Sequence, residues 1–189
     1  IEYFQPSYQS ELPLINIDKV AYGYKKVGGT LGGYGSSDDC QVNANCSEGD
    51  NWANQKTSVC RIQIPDGQFL GLCSGALINN TNGDCRPLVL SADHCFSGGN
   101  ISNNDLNQTV YYFNYESSGC NNSTPNYEAI TGCQLLSNSG DEGNVGDSDF
   151  FLVELNNEPS FDPYYSGWDR SNTAATSGVS IHHPSGDIK

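Results

Sequence analysis

Two residues decide what chemistry this chain could do: His94, at the end of one apolar run, and Asp149, at the mouth of another. The first run is Pro87-Leu88-Val89-Leu90-Ser91-Ala92-Asp93-His94-Cys95. Leu88 to Leu90 suits a core strand, and the small Ser91 and Ala92 let the backbone turn and deliver an imidazole to the strand end. A histidine fixed there is placed as a general base, although a histidine after an apolar run is more often structural. The second run is Gly146-Asp147-Ser148-Asp149-Phe150-Phe151-Leu152-Val153-Glu154-Leu155. Alone, Asp149 reads as a turn-forming aspartate. Paired with His94, it is the carboxylate a base histidine needs on its other ring nitrogen, to fix the tautomer and stabilise the imidazolium. Gly146-Asp147-Ser148 imitates the start of a nucleophilic-serine motif, but Asp149 and bulky Phe150 follow where glycine should. Ser148 is therefore not read as a nucleophile with a backbone oxyanion hole.

The elements that would position these groups are short strands. Val59 to Ile64 alternates, Pro65-Asp66-Gly67 has hairpin-turn chemistry, and Phe69 to Ile78 returns as a second strand. Leu88 to Ser91 is the third. Thr109 to Tyr115 places large residues on both faces and is expected to be sandwiched. Glu128 to Leu136 reads as a weaker strand and Phe150 to Leu155 as a strong one. No stretch sustains a helical period. Six strands at hairpin spacing predict an all-β fold built on a small closed antiparallel barrel. Residues 1–36 read differently: strand-like segments precede a glycine-rich stretch without cysteine. They are expected to form a β-hairpin of a preceding domain or pro-segment plus a linker, with the main domain occupying 37–189.

A chain of 189 residues is long enough to bury a real core, so its eight cysteines do not substitute for one. With only three histidines and no regular CxxC pairs, they suggest disulfides rather than zinc, and hence an oxidising, secreted setting. The net charge of −14 excludes a phosphate-backbone partner, so no nucleic-acid binding is expected. Such acidity serves solubility, or draws in cationic substrates. No apolar run is long enough to span a bilayer, and no signal peptide stands at Ile1, so no membrane partner and a processed chain are expected.

Cys73-Ser74-Gly75-Ala76-Leu77-Ile78, Leu90-Ser91-Ala92-Asp93-His94-Cys95 and Ser148-Asp149-Phe150-Phe151-Leu152 resemble the CGGSL, TAAHC and D-I-x-L motifs of trypsin-like serine proteases. The chain is most similar to their bacterial lysyl endopeptidase subgroup. The shared stretches are Cys46-Ser47-Glu48-Gly49-Asp50, Asn79-Asn80-Thr81, Phe113-Asn114-Tyr115, Glu154-Leu155-Asn156-Asn157, Gly167-Trp168-Asp169-Arg170 and Ile181-His182-His183-Pro184. The resemblance runs from about Cys40 to Lys189. It implies a double antiparallel β-barrel, of which this chain supplies the first barrel and the opening of the second. It also implies a serine endopeptidase acting on peptide or protein substrates without a cofactor or metal, with His94 as base and Asp149 as its partner. Lys-Xaa bonds are the expected substrates.

The segment that should carry the nucleophilic serine, the oxyanion hole and the specificity pocket would follow Lys189. The reading therefore needs a C-terminal chain of the same precursor to supply the serine. A terminal Lys189 is also what self-cleavage in an exposed loop would leave. By resemblance, Cys73 pairs with Cys95 and Cys46 with Cys120, while Cys40 reaches a cysteine in the C-terminal half. Of the others, Cys85 and Cys133 are expected to pair at one barrel end, which leaves Cys60 for the missing half. His182-His183 is read as scaffold rather than a metal pair, since adjacent extended residues point to opposite faces. Trp168 is read as core. Asp141, Glu142 and Asp147 are read as a solvated loop rather than a calcium site. The rival reading is a catalytically inactive, disulfide-stapled β-module for binding or adhesion. A carbohydrate-binding domain would need exposed tyrosines, which the barrel is expected to bury.

Overall fold

The computed structural model describes residues 33–66, 69–99, 101–140, 148–171 and 173–189. Of the hairpin and linker expected in residues 1–36, residues 1–32 lie outside the described residues, as does the acidic loop at 141–147. Seven antiparallel strands form one sheet: β1 (Val59–Asp66), β2 (Phe69–Ile78), β3 (Leu88–Ser91), β4 (Val110–Glu116), β5 (Asn126–Thr131), β6 (Cys133–Asn138) and β7 (Phe151–Leu155). Their order is β5-β4-β1-β2-β3-β7-β6. β1 continues through Pro65 and Asp66, which pair with Leu70 and Phe69 across the hairpin.

The stretch read as a single strand from Glu128 to Leu136 is two. Gly132 divides it into β5 and β6, which sit at opposite ends of the strand order. Consecutive segments can occupy opposite edges only if the sheet curls until those edges meet, so Gly132 is the corner of a barrel. Its φ is +86°, its N–H donates to the Thr109 carbonyl, and its carbonyl accepts from the Asn156 N–H. Two six-residue helices, α1 (Ala53–Ser58) and α2 (Asn103–Gln108), are too short to show a period in the sequence. α2 is started by Ser102, whose hydroxyl accepts from the Asp105 N–H.

The inward faces of the strands supply the core, with Ile62, Ile64, Leu77, Val89, Tyr111, Phe113, Phe151 and Val153 buried together. Each such side chain contributes roughly 1.5–3 kcal/mol by leaving water. β4 is covered on both faces, as its alternation of large residues suggests. Asn114 at φ +56° and a register shift after Phe113 form a bulge. The bulge carries Tyr115 out of the core to stand beside Tyr112, under the Arg61 guanidinium, 6.0 Å from the His183 ring.

His183 belongs to a strap, residues 182–189, laid over β1, β2 and β4. Its N–H donates to Ser74 Oγ, and its Nδ1 donates to the Asp187 carbonyl at 2.8 Å. His183 is buried and His182 exposed, in keeping with adjacent residues facing opposite ways. Burial pushes the His183 imidazole down to about 3. The Asp187 carboxylate accepts from the N–H groups of Gly35, Ser37 and Ile188 and from the Ser37 hydroxyl. Burial works against that charge, yet these donors hold the carboxyl below its usual range.

Several expectations fail here for physical reasons. Lys189 does not lie in an exposed loop. Its ammonium is buried and donates to the carbonyls of Lys56 and Val59, with Glu116 3.4 Å away. Cys85 and Cys133 are both free thiols rather than a pair. Cys133 points into the core, 3.1 Å from the Tyr111 hydroxyl, whereas Cys85 sits in an exposed turn. Cys60 is not placed to bridge outward either, being enclosed in the core, where burial pushes its thiol up to about 12. Trp168 is 54% exposed rather than core, and Tyr127 is likewise on the surface.

Candidate active site

The hairpin β1–β2 and strand β3 build the support for His94. Gly75 on β2 is required by close packing: a Cβ there would lie 2.8 Å from Val89 Cγ1 and 2.9 Å from Ile62 Cδ1. β3 therefore lies tightly on β2, and Ser91 Oγ donates to the Ser74 carbonyl to pin the strand end. The chain then enters a 3-10 turn, Asp93–Gly99. Disulfide Cys73–Cys95 ties that turn to β2, and Phe96 stacks on Phe151 with ring centroids 3.9 Å apart. The second disulfide, Cys46–Cys120, joins the entry segment to the loop after β4.

β3 pairs with β7 through Ser91 and Phe151, which brings Asp149 alongside the turn. His94 Nδ1 lies 2.7 Å from Asp149 Oδ2, and the His94 backbone N–H donates to Asp149 Oδ1 at 2.9 Å. The carboxylate is thus held by a ring nitrogen on one oxygen and a main-chain amide on the other. These bonds, the backbone amide foremost and then the ring, keep the Asp149 carboxyl below its ordinary range. With Asp149 accepting, Nδ1 carries the proton and Nε2 is left as a base. The histidine side chain is 58% exposed and the aspartate 28%, so the pair opens to solvent on the histidine side.

Cys73, His94 and Cys95 cluster closely enough to suggest a metal site, but both sulfurs are already joined in the disulfide. Ser148 is exposed, next to Asp149 in the chain. A cavity of about 220 Å³ between Val42, Asn43, Val179, Ile181 and His182 includes neither His94 nor Asp149. Sequence reasoning missed Asp93, a fully buried acid directly under the pair. Its only sequence signal is a charged residue where the TAAHC-type motif has alanine.

Known proteins match much of this chain's sequence. The lysyl endopeptidase of Pseudomonas aeruginosa is 29% identical over 166 residues, covering 83% of this chain and 34% of that protein. The chain thus spans about a third of the length of the relative it matches. Residues 34–189, nearly the whole described region, match the family described as lysyl endopeptidase, C-terminal domain. With barrel, disulfide-held turn and matched residues all falling in the same region, the chain belongs to the lysyl endopeptidase C-terminal domain family.

Proposed function

We propose that this chain carries the base and the orienting carboxylate of a secreted serine endopeptidase that cleaves after lysine. The observation that carries the reading is the 2.7 Å contact between His94 Nδ1 and Asp149 Oδ2. In the proposed reaction, His94 Nε2 takes the proton from a serine hydroxyl as its oxygen attacks the substrate carbonyl. Asp149 stabilises the resulting imidazolium. The same nitrogen then returns the proton to the leaving amine, giving an acyl-enzyme, and water attacks the ester with His94 as base again. On this reading the serine, the oxyanion donors and the lysine pocket come from a separate C-terminal chain of the same precursor, this chain matching only 34% of the aligned relative. Selection for lysine rests on the relative's name, and the disulfides support an extracellular setting.

The test is active-site labelling of the complete folded protein with a fluorophosphonate, followed by hydrolysis of matched lysyl and arginyl peptides. Labelling abolished by His94→Ala, with lysyl peptides preferred, supports the proposal. A wild-type protein that neither labels nor cleaves would instead be a stapled binding module.

A further inference from the structure

Asp93 has no role in the chemistry proposed above, yet it lies against the groups that do. The turn exposes His94 and drives the neighbouring carboxyl fully into the interior. A buried carboxyl is costly unless it is hydrogen-bonded, and Asn138 Nδ2 donates to Asp93 Oδ1 at 3.0 Å. Asn138 is the last residue of β6 and faces Phe151 of β7. The next residue, Ser139, donates its N–H to the Phe150 carbonyl at 2.9 Å, and its hydroxyl accepts from the Phe150 N–H at 3.1 Å. The His94 turn, the end of β6 and the residue following Asp149 are therefore one network. Asp149 itself stands at φ +44°, a left-handed conformation uncommon outside glycine that aspartate tolerates better than most residues and that contacts on both sides can fix. The Asp93 N–H, donating to the Asp149 carbonyl at 3.4 Å, closes the network on the other side.

We propose that the Asp93–Asn138 pair is a positioning tether: it locks the end of β6 to the histidine turn, holds Asp149 in its left-handed backbone, and so aims the carboxylate at His94. The role as an aid to catalysis rests on the endopeptidase reading, but the tether itself can be tested without it. The probe is the His94 Nδ1–H proton, followed by NMR in the complete protein through its exchange with solvent. Core methyl resonances of Leu77 and Val89 establish that each variant is folded.

Asp93→Ala and Asn138→Ala are expected to speed that exchange at least tenfold. Asp93→Asn, which keeps an amide-to-amide hydrogen bond, should leave it within about twofold. In the complete protein, both alanine variants should lower kcat by roughly 10–100-fold with KM within twofold, the pattern of a misaimed catalytic group. If Asp93→Ala does not fold, Asn138→Ala, at a strand end, carries the test. Unchanged exchange in the folded alanine variants would overturn the tether, and so would an Asp93→Asn variant that behaves like Asp93→Ala. Failure of the wild-type protein to label with fluorophosphonate would remove the endopeptidase reading while leaving the NMR result meaningful.

Discussion

Around His94, single atoms decide function. Asp149→Asn would preserve shape but put an amide donor where the carboxylate accepts from Nδ1. The imidazole would then favour the other tautomer, with Nε2 protonated and no longer a base. In the complete protein, kcat should fall by about 10⁴ while the fold survives, as steady-state kinetics and circular dichroism would show. Disulfide Cys73–Cys95, which closes a span of 22 residues, anchors the same turn. Replacing both cysteines with serine should reduce stability by about 2–4 kcal/mol in denaturant titration. The contact between His94 and Asp149 was legible from the resemblance to the protease motifs, each residue standing at the edge of an apolar strand run. Asp93 was not, because its burial depends on Asn138, which is 45 positions away along the chain.

The elements show where local pattern stops being informative. Strands β1, β2, β3, β4 and β7 follow from alternation and turn residues. The division at Gly132 does not, because nothing local distinguishes a barrel corner from a glycine within a strand. A Cβ at Gly132 would meet Asn156 Nδ2 at 2.4 Å and the Asn107 carbonyl at 3.2 Å, on a backbone at φ +86°. Gly132→Ala should therefore cost about 1–3 kcal/mol, measurable as a lower denaturant midpoint. The outer strap was equally hidden, since its partners come from β1, β2 and β4. Its pH response follows from His183, which is neutral when folded and titrates at about 3 there but near 6.5 when unfolded. Between those values the unfolded chain binds the extra proton, so stability is full above about 6.5 and declines as pH falls toward 3. His183→Gln should flatten that decline by about one proton, or about 1.4 kcal/mol per pH unit, when unfolding free energies are compared at pH 6 and pH 4.

Across the described residues, the curled seven-stranded sheet has its own core, two disulfides and an outer strap. The net charge of −14 gives it a field that favours cationic side chains, which is compatible with the proposed preference for lysine. If that field aids substrate capture, kcat/KM for lysyl peptides in the complete protein should fall as ionic strength rises, while kcat stays level. The fold class was readable because strand spacing and cysteine count are properties of the chain itself. The free state of Cys85 and Cys133 was not, since it depends on which way two distant side chains point once the sheet has curled.

The hydrogen bonds from Gly33 to Ser185 and from Ala44 to Lys189 stitch the segment before β1 to the strap, with Asp187 gripping the backbone of Gly35 and Ser37. Anything that displaced the strap would therefore also release the backbone at Gly35 and Ser37, so the two segments should lose hydrogen-exchange protection together.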